Sequence, residues 1–199
     1  MHLCAVWCIS LIMLPWGHAA LGYLLYSVYS RTQLGRPPAG LTVYAVALGT
    51  QFPDLVDKPL TWTIPLLPYG RSLAHSLFTT TLVLTVLWVM FQTPVQRRLT
   101  VAFGIGYGSH LVGDGIGPAL HGNALGLGYL LWPLTSVPDG GQRSFLSFFT
   151  TLEPTPMLLA GAVLSVLTFV LWLYDGMPGV RDLLGEWART RQPSLSKRE

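Results

Sequence analysis

The chain has 199 residues, of which 51% are hydrophobic and only 11% are charged, and its mean hydropathy is +0.48. This composition is too apolar for an ordinary soluble domain, and it excludes a disordered, collagen-like or coiled-coil chain. The net charge is +3, but the basic residues are scattered between apolar runs, so we expect no nucleic-acid partner. The only two cysteines, Cys4 and Cys8, lie in one apolar stretch, which excludes a disulfide framework and leaves histidine and carboxylate as metal ligands.

Apolar segments predict an all-α protein, a polytopic membrane bundle of about four to five transmembrane helices embedded in the lipid bilayer. The first run, 3–29, holds Pro15 and His18, and two interpretations stay open: a signal-peptide core in its first part, or a true start at Met13 with a helix from about Gly17. The other predicted spans are 41–55, 74–91, 99–116 and 157–174.

The stretches between and after these segments divide the chain. A region rich in Gly, Pro, Ser and Thr, 117–154, predicts a long, partly ordered loop. Gly104 and Gly108, four residues apart in an apolar helix, predict close helix packing. We therefore expect a membrane-embedded domain over 1–176 and a basic tail over 177–199.

The distribution of lysine and arginine predicts the orientation, since positively charged loops stay on the cytoplasmic side. With five spans, three of the twelve lysines and arginines fall on the non-cytoplasmic side: Lys58, Arg71 and Arg143. This predicts a multi-pass protein of the cell membrane with a cytoplasmic C-terminus. The nine cations on the cytoplasmic side would be Arg31, Arg36, Arg97, Arg98, Arg181, Arg189, Arg191, Lys197 and Arg198.

Several ionisable side chains fall near the non-cytoplasmic surface in this arrangement. Such groups are costly near hydrocarbon, so a cluster at one depth predicts a functional site. Two of them, His110 and Asp114, lie four residues apart on one helix face and can reach one ion. Imidazole and carboxylate suit Zn²⁺, with Mn²⁺ or Fe²⁺ as alternatives, and the set would suffice for one or two divalent ions. Its members are His18, Asp54, Asp57, His75, His110 and Asp114.

Each of these residues also has a structural interpretation. The histidine and aspartate of the fourth segment could form a buried pair without a metal, and Asp57 could pair with Lys58. Arg71, one turn before the histidine of the third segment, could bind a phosphate or lie at the membrane surface. His2 and His121 have no partner in register, and we place both outside the site.

Four motifs in this order resemble the family of membrane-bound metal-dependent hydrolases: Trp16-Gly17-His18, Pro53-Asp54-x-x-Asp57, Ser72-Leu73-Ala74-His75-Ser76 and Ser109-His110-Leu111-x-x-Asp114. That family includes a LexA-binding, inner-membrane hydrolase, and the resemblance covers about 16–133. The chain is similar, more distantly, to zinc-dependent phospholipase C, whose ligands come in the same order on an all-helical scaffold. The later His, His and Glu of the phospholipase have no counterparts after Asp114, which argues against a three-metal site. The resemblance implies metal ligands at His18, Asp54, His75, His110 and Asp114.

The sequence therefore predicts a metal-dependent hydrolase in which a metal-activated water attacks a phosphodiester or ester, with a lipid as one candidate substrate. Asp114 and Asp57 are the expected catalytic residues, the first by holding the ion and the second by orienting a ligand or accepting a proton. The alternative is a transporter or metal-handling membrane protein that uses the same His/Asp cluster. A transporter would need polar groups that continue from the cluster toward the cytoplasmic side. The cytoplasmic halves of the predicted spans carry almost no polar groups. A regulatory scaffold with a partner on the basic tail is a third interpretation.

Overall fold

The computed structural model describes residues 14–135 and 155–190, and every regular element in these two ranges is a helix. This confirms the all-α class predicted from the sequence. His2, Cys4 and Cys8 lie outside the described residues. In chain order the elements are α1 (Pro15–Leu34), α2 (Leu41–Trp62), α3 (Leu77–Met90), α4 (Pro94–Leu120), a 3₁₀ helix (Ala124–Leu131), α5 (Pro156–Tyr174) and α6 (Val180–Thr190).

Local sequence signals set the ends of these helices. Proline occupies the first turn of α1, α4 and α5, where its missing N–H costs no intrahelical bond. Gly35 ends α1 in the left-handed conformation, with φ of 65°. At the start of α3, the Ser76 side chain accepts a hydrogen bond from the backbone N–H of Thr79 at 3.1 Å. Because Ser76 is the cap, the preceding histidine lies just outside the helix.

Three helices extend beyond their predicted ends, and α1 runs to Leu34 where the first apolar run was predicted to end at 29. α2 continues through Pro53 and Pro59 to Trp62, so the carboxylates that were expected at its exit lie inside it. The predicted loop over 117–154 is wrong in its first part, because α4 runs to Leu120 and the 3₁₀ helix follows. Tyr129 of that helix is fully buried and donates a hydrogen bond to the carbonyl of Leu111 at 2.7 Å. This long-range bond orders a stretch whose composition predicts a loop. The rest of the predicted loop, 136–154, lies outside the described residues.

Over the two described ranges, no helix is both long enough and apolar enough to cross a membrane. The prediction of four to five transmembrane helices was based on the length of apolar runs in the sequence. The helices differ from those runs in length and in the charged residues that they include. α3 has 14 residues, and α2, which has 22, includes two aspartates and one lysine.

α4 is the central helix, and it packs on α1, α2, α3 and the 3₁₀ helix, while α5 packs on α1. The closest approach is between α2 and α4. A methyl group placed on Gly106 would lie 2.3 Å from the carbonyl oxygen of Val46, whereas one on Gly108 would meet nothing within 4 Å. Gly104 is only moderately crowded, by the side chain of Leu84 at 3.3 Å. The prediction of close packing at Gly104 and Gly108 is therefore wrong for Gly108, and the close contact of this helix lies at Gly106.

Two aspartates connect the helices at the end of the bundle where α1 ends and α2 begins. Asp175, after α5, accepts a hydrogen bond from the hydroxyl of Tyr23 at 2.7 Å and forms an ion pair with Arg31, both on α1. Asp182 of α6 accepts hydrogen bonds from the backbone N–H groups of Gly40 at 2.7 Å and Gly179 at 3.1 Å. These contacts connect the start of the predicted tail to the body.

We expect Gly106→Ala to lower the stability of the fold by about 1–3 kcal/mol, because the new methyl group meets backbone and cannot be accommodated by a rotamer change. Gly108→Ala is the matched control, and it should leave stability unchanged or raise it by up to about 1 kcal/mol through helix propensity. Thermal unfolding of the detergent-purified protein measures both. Equal effects of the two substitutions would contradict the close contact of α2 and α4.

Candidate metal centre

The five predicted ligands come together at one end of the bundle. His18 lies in the first turn of α1, Asp54 in α2, His75 directly before α3, and His110 and Asp114 in the second half of α4. The three histidines and Asp114 are at most 2% exposed. Charged and polar groups buried to this extent need partners, so their contacts define what the site can do.

Asp57 holds the segment that carries His75. Its carboxylate is fully buried and accepts hydrogen bonds from the backbone N–H groups of Ser72 at 2.8 Å, Ala74 at 2.8 Å and His75 at 3.3 Å. It also accepts the Nδ1–H of the His75 ring at 2.8 Å. This arrangement fixes the ring and directs Nε2 into the cluster, so the contacts favour an orienting role for Asp57 over proton acceptance.

His110 is oriented in the same way by the backbone of α2. Its Nδ1 lies 2.6 Å from the carbonyl oxygen of Thr50, an acceptor, so Nδ1 carries the proton and Nε2 has the lone pair. The His18 ring stacks on the His110 ring with centroids 3.9 Å apart. Among the described residues, Nδ1 of His18 has no hydrogen-bond partner although it is buried. A buried polar atom of this kind is typical of a site that holds water or an ion.

The Nε2 atoms of His75 and His110 face each other at 3.1 Å. Since each ring donates its Nδ1 proton elsewhere, two neutral rings would place two lone pairs in contact. The arrangement therefore requires a positive charge between the nitrogens, either a proton or a metal ion. This is the strongest single indication of a cation at the cluster.

Oxygen atoms of two aspartates complete the set of donors. His75 Nε2 lies 3.5 Å from Asp54 Oδ1 and 3.4 Å from Asp114 Oδ2, and His110 Nε2 lies 3.8 and 3.6 Å from the same atoms. Ligands of a tetrahedral Zn²⁺ at ~2.0–2.1 Å are separated by roughly 3.3 Å. The donor separations thus match one divalent ion after small adjustments.

Two groups of donors that share His110 can hold a metal: His18, His110 and Asp114, and Asp54, His75 and His110. Because Nδ1 of His110 is committed to Thr50, this histidine offers one nitrogen and serves one ion at a time. Asp114 can bridge two positions, since Oδ1 lies 3.5 Å from His18 Nε2 while Oδ2 faces the other two rings. The geometry accommodates one ion, or two bridged by Asp114.

Two cations border the cluster, and their partners differ from those considered from the sequence. Lys58 forms an ion pair with Asp54 and not with Asp57, as the four-residue spacing in a continuous helix permits. Arg71 Nε lies 3.0 Å from Asp114 Oδ2, so it is neither free at the surface nor far from the site. The sequence could not show this pair, because 43 residues separate its members.

The charges of the cluster balance when His75 is protonated. Burial lowers the pKa of His75, but hydrogen bonds with Asp114, Asp54 and Asp57 outweigh burial and raise it to about 10. The imidazolium, Lys58 and Arg71 then offset the three carboxylates. A proton on His75 therefore occupies the position that a metal ion would take.

The chain belongs to the YdjM inner membrane protein family, whose model matches residues 13–180. No curated protein and no solved structure matches the chain. The family description supports the inner-membrane part of the resemblance found in the motifs. Hydrolase activity and the similarity to zinc-dependent phospholipase C stay predictions.

We expect the purified protein to bind about one Zn²⁺ per chain or more, and His110→Ala to abolish stoichiometric binding, because both groups of donors use this residue. His121→Ala is the matched control, since the His121 ring bonds the carbonyl of Gly117 at 2.9 Å in the same helix end and belongs to neither group of donors. Metal analysis after dialysis measures the ratio. Loss of metal in both variants, or in neither, would contradict the assignment.

Metal affinity should rise with pH. A raised pKa means that His75 is protonated in the metal-free protein at neutral pH, so binding must release that proton. Below about pH 10, each unit of decrease should weaken the apparent affinity by up to about tenfold. Titration calorimetry at three pH values, in buffers of different ionisation enthalpy, measures affinity and proton release together. An affinity that does not change between about pH 6.5 and 8.5, roughly the range in which proteins are most stable, would contradict the release of a proton from His75.

Proposed function

We propose that the protein is a metal-dependent hydrolase of the inner membrane that acts on a phosphodiester or ester. The observation that carries the proposal is the pair of imidazole nitrogens 3.1 Å apart, with carboxylate oxygens of Asp54 and Asp114 within 3.8 Å. Zn²⁺ suits these donors, with Mn²⁺ or Fe²⁺ as alternatives. A divalent ion held there would supply Lewis-acid chemistry, which lowers the pKa of water toward ~7 and stabilises developing negative charge.

The residues of the chain have separate tasks in this proposal. His75, His110, Asp54 and Asp114 hold the ion, and His18 contributes through Asp114 or at a second position. Asp57 keeps the ring of His75 in place and is a positioning residue. Burial of the donors among helices limits their movement, which preorganises the site for catalysis.

Among the described residues, the exposed part of the cluster is bordered by Asp54, Lys58 and Arg71. The side chains of Asp54, Lys58 and Arg71 are 12%, 15% and 26% exposed, while the histidines are closed off. A substrate would therefore approach along these three residues, with its reacting group next to two cations.

Large apolar side chains are exposed on the outward faces of α3 and α5, including Leu82, Val89, Val163 and Val170. Such surfaces are typical of proteins that contact lipid. Together with the family assignment, they support a lipid as substrate. We also propose the multi-pass arrangement with a cytoplasmic C-terminus, which the distribution of lysine and arginine supports.

Hydrolysis of a phosphodiester or ester reporter should require both the metal and Asp114. Asp114→Asn should weaken metal binding and reduce turnover by roughly 100-fold or more, because the neutral amide is a poorer ligand than the carboxylate. Asp182→Asn is the control, since an amide oxygen can still accept the N–H of Gly40 at the opposite end of the bundle. Activity that survives a chelator and Asp114→Asn would exclude metal-assisted hydrolysis. Stoichiometric metal binding without turnover of any ester would favour the metal-handling alternative.

A second substitution separates the two roles considered for Asp57. If Asp57 orients His75, Asp57→Asn should weaken metal affinity by about 10- to 100-fold and reduce turnover in parallel. If it only accepts a proton, metal affinity should stay unchanged while turnover falls. Metal titration and steady-state kinetics on the same preparation distinguish these results, and circular dichroism shows that the variant is folded.

A further inference from the structure

A second polar feature lies at the other end of α1 and α4 from the metal centre. A cavity of about 110 Å³ opens between these helices and is lined by Tyr26, Tyr29, Leu34, Arg97, Arg98 and Val101. Along α4, Arg98 is twelve residues from His110, which is about 18 Å at helical rise. This arginine cleft is therefore separate from the metal centre.

The two arginines of the cleft are not neutralised by an acidic side chain in the described ranges. Near the cleft, Asp175 pairs with Arg31 and Tyr23, and Asp182 accepts two backbone N–H groups. The three aspartates of the metal centre are engaged at the far end. Two positive charges thus border one small cavity with no carboxylate paired to them among the described side chains.

The other walls of the cleft fit a phosphate group with an organic substituent. Arg97 is held in place by a hydrogen bond to Gln92 Oε1 at 3.1 Å and by stacking on the ring of Trp88 at 5.0 Å. Tyr26 and Tyr29 also line the cleft, and Leu34 and Val101 add apolar residues. Guanidinium groups bind phosphate through paired, charge-assisted hydrogen bonds. A volume of about 110 Å³ is a few times the ~30 Å³ that one water occupies in the liquid, enough for a phosphate group.

We propose that the arginine cleft binds a phosphate-bearing anion, either the headgroup of an anionic phospholipid or free phosphate. Membership of an inner membrane protein family supports the headgroup, because basic pockets between helices at a membrane surface bind such lipids. The proposal does not depend on the metal or on hydrolysis.

The test uses the full chain in non-ionic detergent and three probes: short-chain phosphatidylglycerol, short-chain phosphatidylcholine and inorganic phosphate. Tryptophan fluorescence and native mass spectrometry measure binding, and Trp88 beside Arg97 is a built-in reporter. Arg97→Gln with Arg98→Gln should weaken binding of phosphatidylglycerol by about tenfold or more. Lysine at both positions should give an intermediate loss, since it keeps the charge without the paired geometry.

Arg36→Gln is the matched control, because it removes one exposed positive charge at the same end without altering the cleft. Its effect should be less than about twofold. Displacement of the lipid by inorganic phosphate in an arginine-dependent way would support the site and identify free phosphate as the ligand. An equal loss in the Arg36 variant, no loss in the double variant, or equal binding of the two lipids without phosphate competition would overturn the proposal.

Discussion

The buried carboxylate of Asp57 is the constraint on which the site depends. A fully buried aspartate is costly unless its oxygens accept several hydrogen bonds. Here all the donors come from 72–75, a stretch without regular secondary structure between α2 and α3. The hydrogen bonds that this one carboxylate accepts therefore fix the conformation of the stretch and the position of His75. The Nε2 atom of that ring then meets His110, and the requirement for a cation follows.

The second constraint is the close contact of α2 and α4. Gly106 lets the two backbones approach, and this approach places the carbonyl of Thr50 where it accepts the Nδ1 proton of His110. α2 carries Asp54 as well, so most of the cluster belongs to one rigid helix pair. Donors on rigid elements hold their geometry better than donors on loops. The contact that stabilises the fold also determines which nitrogen of His110 is available.

Much of the candidate site could be predicted from sequence, because the local spacing of its residues and their positions at the ends of apolar runs are visible there. His110 and Asp114 share a face through their four-residue spacing, and the other ligands follow from where apolar segments begin or end. The remaining details depend on contacts between distant residues. The pairing of Arg71 with Asp114 and the ordering of the stretch after α4 by Tyr129 leave no local signal. Helix lengths were underestimated where proline or aspartate interrupts an apolar run, since tertiary packing carries α2 through both.

X-ray absorption at the zinc edge of the loaded full chain tests most directly whether the nitrogens of His75 and His110 share one metal ion. If they do, we expect nitrogen and oxygen donors only, at about 2.0–2.1 Å, with the outer-shell scattering of at least two imidazoles. His110→Ala should remove imidazole scattering or prevent loading. A sulfur donor, a fully hydrated ion, or a spectrum unchanged by His110→Ala would contradict the claim.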